Sequence, residues 1–475
     1  MGAMVLKRNL VAMIGALCAC SLFSTTAHAQ NDNDTRALLR DVYRELVEID
    51  TTAEHGDTAR AAQAVAARLK NAGFADADVQ VFVTAPHRGN VVARLHGNGE
   101  RKPILLMAHL DVVEAKREDW STDPFKLVEK DGYFYGRGTG DDKFMAAAFV
   151  ANMIRYSREK YVPDRDVILL LETDEEISDK HGLGVTWMLK NQRALIDAEF
   201  ALNEGGSIGM KGGAPIWNAI QTSEKTYQSF WLEVHNAGGH SALPSKDNAI
   251  YRLAQGLTRL AQYDFPVVLN DTTRIYFERM SRMEEGPMSA DMKAMTLPTP
   301  PADAVARLSS HPTYNSQLRT TCVATRLEGG HADNALPQVA KALVNCRILP
   351  GESVEEVQKT LIKVLGDDQI AVTPAGSDTA SPPSPLNEEL LGAIEQLTRK
   401  YWPGIPVLPL MSAGATDGRF LRNAGIPTYG HSGLANDIFD VRAHGKDERV
   451  PVKSFYEGDE YLYELVKHLA GGSSQ

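Results

Sequence analysis

Cysteine is scarce: four residues in a chain of 475, and Cys18 and Cys20 fall in an N-terminal apolar stretch. The other two, Cys322 and Cys346, cannot staple a chain of this size, so a packed core must carry its stability. Nor can they build a cysteine-rich zinc site. A basic excess is also missing. Lys and Arg number 50 against 61 Asp and Glu, for a net charge of −11. With no Lys/Arg cluster either, the chain offers no surface suited to nucleic acid. Beyond the N-terminus no apolar segment is long enough to span a bilayer. Internal repeats and low-complexity tracts are absent. The rest is ordinary: 43% hydrophobic and 23% charged residues, as in soluble globular proteins. The length points to two or three domains.

Lys7 and Arg8 precede an apolar stretch from Leu10 to Phe23, and Ala27-His28-Ala29 follows with small residues at cleavage-site positions. That three-part pattern predicts a secretory signal peptide over residues 1–29. Its apolar core falls short of the roughly 18–20 residues a membrane span needs. The expected destination is the periplasm or the exterior, with a lipid anchor at Cys20 as the lesser alternative. Export allows Cys322 and Cys346 to oxidise. They lie equally far from residue 334, within a Gly/Asn/Pro turn. A simple antiparallel hairpin about that turn would set them opposite one another.

Asp34–Ile49 and Asp57–Ala72 read as amphipathic helices, each opening on an Asp suited to an N-cap. Apolar runs follow at Val79–Val83, Val91–Leu95, Ile104–Ala108, Val167–Leu171 and Phe200–Asn203, alternating with helical stretches at Asp142–Tyr156 and Gly182–Asn191. This alternation predicts an α/β fold, a sheet covered by helices. Near Thr226 the texture changes. A strand at Phe230–Val234, a helix at Asn248–Gln262, strands at Thr320–Leu327 and Ala340–Ile348, a helix at Val354–Leu365 and a strand at Ile370–Thr373 read as a small α+β unit. Residues 263–313 between them read as irregular. A linker at Asp378–Pro385, a helix at Leu386–Tyr401, a Gly-rich loop region at Ser412–Gly433 and a helix at Phe455–Leu469 complete the chain.

The ionisable residues that stand out fall at strand ends. His109-Leu110-Asp111 follows an apolar run, and residues two apart on an extended chain project to one side. A metal-binding His wants its second ring nitrogen held. Alone, the pair reads equally as surface residues. Gly136–Lys143 carries Asp141 and Asp142 in a glycine-rich loop. It lacks the spacing of a phosphate loop, and two carboxylates would repel a phosphate. Thr173-Asp174-Glu175-Glu176 follows the most apolar strand, and Glu204 follows Phe200–Asn203. Taken singly, these are solvated turns. His444 lies far along the chain, before the last helix. Together they supply nitrogen and oxygen ligands for two metals, with a carboxylate able to bridge, as a co-catalytic dizinc site requires.

In the order MAHLDVV, GRGTGDDK, ETDEE, LNEGG, GGHSALP, ATDGRF and HGKDERV, these motifs resemble a zinc metallopeptidase family. It contains glutamate carboxypeptidase, aminoacylase and succinyl-diaminopimelate desuccinylase. The middle region is most similar to the branch of yeast vacuolar carboxypeptidase S. The resemblance covers nearly all of residues 34–470. It implies a mixed-sheet catalytic domain over residues 30–223 and 375–475, with a smaller α+β lid of the dimerisation type inserted at 224–374. It further implies two Zn2+ ions, with another divalent metal as an alternative. His109 and Glu204 would hold one, Glu176 and His444 the other, and Asp141 would bridge. Asp111 would orient His109, and Glu175 would be the general base. His240 would stabilise the oxyanion, and Asn334 with Arg347 would grip the substrate carboxylate. A cis Asp141–Asp142 peptide is implied as well. Residues 263–315 exceed what a minimal lid needs and would cover the usual dimer surface, which leaves a homodimer open.

The expected activity is hydrolysis of an amide bond, releasing an amino acid from a small peptide or an N-acyl amino acid. A zinc aminopeptidase or dipeptidase is the alternative. The separation of 240 positions from Glu204 to His444, room for a whole inserted domain, weighs against the aminopeptidase. An exported solute-binding protein is the non-enzymatic alternative, but it would need neither Glu175 nor two sets of ligands. For Arg347 the bland alternative is a pair with Glu352.

Overall fold

The computed structural model describes residues 33–376 and 379–474. The expected signal peptide and Cys20 lie outside them. The alternating first half and the end of the chain build one ten-stranded mixed sheet. Its order is Val79–Ala85, Arg88–Leu95, Val167–Glu172, Ile104–His109, Phe200–Asn203, Thr428–Gly430, Ala214–Glu224, Ile208–Lys211 and Ala435–Asp437. Val407–Ser412 pairs in parallel with Ala214–Glu224.

Four central strands, Val167–Glu172, Ile104–His109, Phe200–Asn203 and Thr428–Gly430, run parallel to one another. Their apolar runs are unbroken because both faces are covered. Leu106 and Leu169 pack among residues of the helices Lys143–Arg158 and Val452–Ala470. Leu105, Met107, Ile168 and Leu170 pack on the opposite face against Val185 and Met188. Parallel strands bring their carboxyl ends to one edge, where ligands gather in open α/β sheets. The helix Thr58–Asn71 starts where expected, with the Asp57 side chain accepting from the Arg60 N–H.

A separate antiparallel sheet, ordered Thr321–Gly329, Val339–Ile348, Thr226–His235 and Ile370–Ala375, forms the lid. Every second residue of Val339–Ile348 is buried, as a one-sided sheet demands. The helices Ala249–Ala261 and Val354–Leu365 cover that face through Leu253, Leu260, Val357 and Leu361. Asn248 and Ser353 cap them. Cys322 and Cys346 are register partners joined by a disulfide, their Cα atoms 4.1 Å apart.

Three stretches differ from expectation. Residues 263–315 are largely helical, with Asp271–Met280, Gly286–Ala294, Ala302–Ser309 and Pro312–Leu318. They are seven to ten residues long, too short to show a clear apolar period. In two of them the proline that reads as a breaker occupies the first turn, where it is tolerated. These helices join the large sheet: Phe277, Met292, Met295 and Leu308 pack with its Leu408. The expected loop region at 412–433 contains the helix Gly418–Asn423 and the strand Thr428–Gly430. The hairpin of Ile208–Lys211 and Ala214–Glu224 was not anticipated. It turns on Gly212 and Gly213, both at positive φ, the conformation a two-residue hairpin turn requires.

Candidate metal centre

At the carboxyl edge of the parallel strands, His109 closes Ile104–His109 and is buried. Its Nδ1 lies 2.9 Å from the backbone oxygen of Asp111. A carbonyl only accepts, so Nδ1 carries the hydrogen and Nε2 is turned toward Asp141 Oδ1, 3.1 Å away. The expected orienting role of the Asp111 carboxylate is thereby altered. Its Oδ1 is 3.7 Å from the ring nitrogen, because the chain turns after His109 and the carbonyl arrives first. The carboxylate instead accepts from the backbone N–H groups of Glu175, at 3.3 Å, and Glu176, at 3.0 Å. It sets the turn that presents both glutamates. Burial pushes Asp111 up to about 7.

Asp141 precedes the helix Lys143–Arg158, across a cis peptide to Asp142. Its second oxygen, Oδ2, lies 3.2 Å from His444 Nε2. One carboxylate thus faces two imidazoles from two remote segments. Burial opposes its ionisation, but the hydrogen bonds from His109 and His444 prevail and hold it below the usual carboxylate range. His444 Nε2 is also 2.9 Å from Glu176 Oε2. These two acceptors raise His444 to about 10. Glu204 follows Phe200–Asn203 directly. Burial first, then the Asp141 charge, pushes it well up. Glu175 is likewise raised, by burial and then by Glu204 and Asp417.

Ligand atoms of His109, Asp141 and Glu176 lie within 4.8 Å of one another, as do those of His109, Glu175 and Glu204. Glu176 Oε1 and Asp142 Oδ2 are buried without a hydrogen-bond partner. Carboxylates this close in a largely buried site repel strongly, and buried charge without a partner is costly. Divalent cations would relieve both, and the donor set of imidazole and carboxylate suits zinc.

A groove of about 840 Å³ opens from Glu175, Glu176 and His444 toward the lid, where Tyr227, Gln228 and Arg347 line it. Arg347 donates to the Ala413 carbonyl at 2.8 Å and lies over the Tyr227 ring. Glu352, its alternative partner, accepts from the Thr320 hydroxyl. His240 and Asn334 are brought together elsewhere. Gly239–His240 pairs with Ala335–Leu336, and the Ser241 N–H donates to the Asn334 carbonyl. His240 is exposed, and neither residue lines the groove.

Two buried acids beneath the site escaped the sequence reading. Glu172 ends the most apolar strand, and Asp417 belongs to the ATDGRF motif. Burial, then the Asp417 charge, pushes Glu172 well up. An ionisable side chain ending a run of Val, Ile and Leu was the available signal.

Comparison with known proteins follows the same lines. Residues 105–468 match the family described as Peptidase family M20/M25/M40. The human "N-fatty-acyl-amino acid synthase/hydrolase PM20D1" is 30% identical over 377 residues, 77% of this chain and 74% of that protein. The "Probable carboxypeptidase S-like 2" of Dictyostelium discoideum is 27% identical over 77% of this chain and 72% of its own. Among solved structures, an M20 family metallo-carboxypeptidase from Sulfolobus solfataricus superimposes with a TM-score of 0.66 at 19% identity. It covers 90% of this chain and 98% of that one, and shares the mixed-sheet fold with its smaller second domain.

Proposed function

The chain belongs to peptidase family M20/M25/M40, and from that membership we propose an exported two-metal amidohydrolase that frees an amino acid from an N-acyl amino acid or small peptide. The observation that carries this reading is Asp141, whose two oxygens face His109 and His444 separately. His109 and Glu204 would hold one divalent cation, Glu176 and His444 the other, and Asp141 would be shared. Bound there, Zn2+ or a similar cation supplies a water of lowered pKa and polarises the scissile carbonyl.

Glu175 is the general base. It takes a proton from the attacking water and passes it to the departing amine. Its burial among other acids raises its proton affinity, which suits a group that must accept and then release a proton near neutral pH. Asp111 keeps Glu175 in place through the backbone. Arg347 receives the carboxylate of the released amino acid, since its fork matches a carboxylate bidentately. His240 on the oxyanion and Asn334 beside the carboxylate would act from the lid of a second copy. Ile177, Tyr227 and Phe420 give the groove apolar walls, in keeping with an acyl group. The names of the human and Dictyostelium relatives point the same way. The signal pattern at residues 1–29 and the Cys322–Cys346 bond support export, because disulfides persist in oxidising compartments.

The test is a panel of N-acyl amino acids, dipeptides and their C-terminal amides, assayed for free amino acid with zinc-loaded protein. Release that stops on chelation and returns with Zn2+ is expected. No release, or full activity after exhaustive chelation, refutes the reading. Cleavage confined to substrates with a free amino terminus, indifferent to C-terminal amidation, would favour an aminopeptidase.

A further inference from the structure

Glu448 lies four residues beyond His444 and has no part in the chemistry above, yet its carboxylate is among the most heavily bonded in the molecule. Oε2 accepts from Arg137 Nη1 at 2.7 Å and from the Gly138 N–H at 3.0 Å. Oε1 accepts from the Gly140 N–H at 2.7 Å and from the Asp141 N–H at 3.2 Å. Its backbone carbonyl takes a further bond from the Gly136 N–H. Arg137 completes the circuit by donating from Nη2 to the Gly445 carbonyl at 3.0 Å, the residue after His444. Both side chains of the pair are 3% exposed. The guanidinium also lies over the Trp120 ring.

The loop depends on this anchor. Gly138 sits at φ 79°, and a Cβ there would strike Val112 at 2.6 Å. The backbone N–H groups of Gly138, Gly140 and Asp141 therefore converge on one point. A carboxylate offers acceptors to all of them, and bonds to a charged acceptor are the strong ones.

We infer that Glu448 is a positioning residue, which clasps the Asp141 loop to the His444 loop and so sets the spacing of the two-metal site. The inference rests on the two-metal reading. It assigns a purpose to a buried ion pair 311 residues apart in sequence. Such pairs are weak evidence of stability gain by themselves. The outer partners that orient metal-binding groups, by contrast, govern metal affinity by about 10–100-fold.

Glu448→Gln keeps the shape but turns one acceptor into a donor facing N–H groups. Zn2+ transfer from the full-length protein to a chromophoric chelator reads the site without substrate. Wild type should retain two equivalents, and E448Q should release them about 10–100-fold faster. The double variant R137M/E448Q removes the stranded guanidinium and carries the same expectation should E448Q fold poorly. Asp291→Asn is the control. It breaks another bidentate ion pair, between buried Asp291 and half-exposed Arg307 at 2.6 and 2.7 Å, within the helical segment 271–318. It should lower thermal stability yet release Zn2+ at the wild-type rate. Wild-type release from E448Q overturns the clasp and leaves the two-metal reading standing. Equal acceleration in D291N also overturns it, since general loosening then suffices. A wild-type protein that takes up no Zn2+ refutes the two-metal reading and the clasp together.

Discussion

His431 follows the parallel strand Thr428–Gly430 and is fully buried. Its Nδ1–H donates to the Ala219 carbonyl at 3.0 Å, and Nε2 accepts from the Tyr461 hydroxyl at 2.8 Å. The second bond requires the neutral ring, since an imidazolium has no acceptor; the first favours the charged form, but burial outweighs it. Burial lowers its pKa from 6.5 to about 4. Below about pH 6.5 the unfolded chain binds a proton that the folded chain refuses, so acid favours unfolding. The loss begins near pH 6.5 and is complete near pH 4, below which both states are protonated. At 1.36 kcal/mol per pKa unit, the full span is about 3 kcal/mol, of which about 2 kcal/mol should be lost between pH 7 and pH 4.5. Buried acids act with opposite sign: Asp459, pushed up to about 7 by burial, gains relative stability as pH falls. The His431 contribution must therefore be isolated with His431→Gln, which keeps a donor and an acceptor but does not titrate. Urea unfolding of both proteins at about pH 7 and about pH 4.5 supplies the comparison. Wild type should lose about 2 kcal/mol more than H431Q. Parallel losses would refute the argument, and a smaller loss in wild type would reverse its sign.

Glu175→Gln should lower kcat by about 10²–10⁴-fold, the usual contribution of a general base, with zinc content unchanged by metal analysis. A loss of metal instead would make Glu175 a ligand. Arg347→Ala should impair cleavage of substrates with a free carboxylate by about 10–150-fold, for a charged hydrogen bond of about 1.5–3 kcal/mol. Their amides should be little affected, and equal losses on both would return Arg347 to a structural role. The double variant Cys322→Ala, Cys346→Ala opens a loop of 24 residues' separation, which corresponds to about 3 kcal/mol. Denaturant unfolding of the lid measures it. Two titratable thiols from these positions in denatured, unreduced wild type would contradict the bond itself.

Much of the site was legible because strand-end chemistry is local. His109, Glu176 and Glu204 each follow an apolar run that only a two-sided core explains. Ends of parallel strands meet at one edge whatever their order. Asp141 stood out because two acids in a glycine loop suit a cation. The short helices of 271–318 were not legible, because two or three turns carry too little periodicity and their prolines read as breaks. Asn334 was expected beside Arg347, but it lies by Ser241 and the Gly239–His240 strand, a contact that no local pattern indicates.

The sequence by itself indicated which residue types follow the apolar runs, that the texture changes near Thr226, and that a simple hairpin would set Cys322 opposite Cys346. These follow from composition and period along single segments. The tertiary structure alone decided which atom of each residue does the holding. It put the Asp111 carbonyl, and not its carboxylate, on His109, and sent that carboxylate to the Glu175–Glu176 turn. It set Glu172 against Asp417, and clasped Asp141 to the His444 loop through Glu448. Each of these depends on contacts between segments that no spacing rule connects, and on competition between acceptors settled only when the chain has packed.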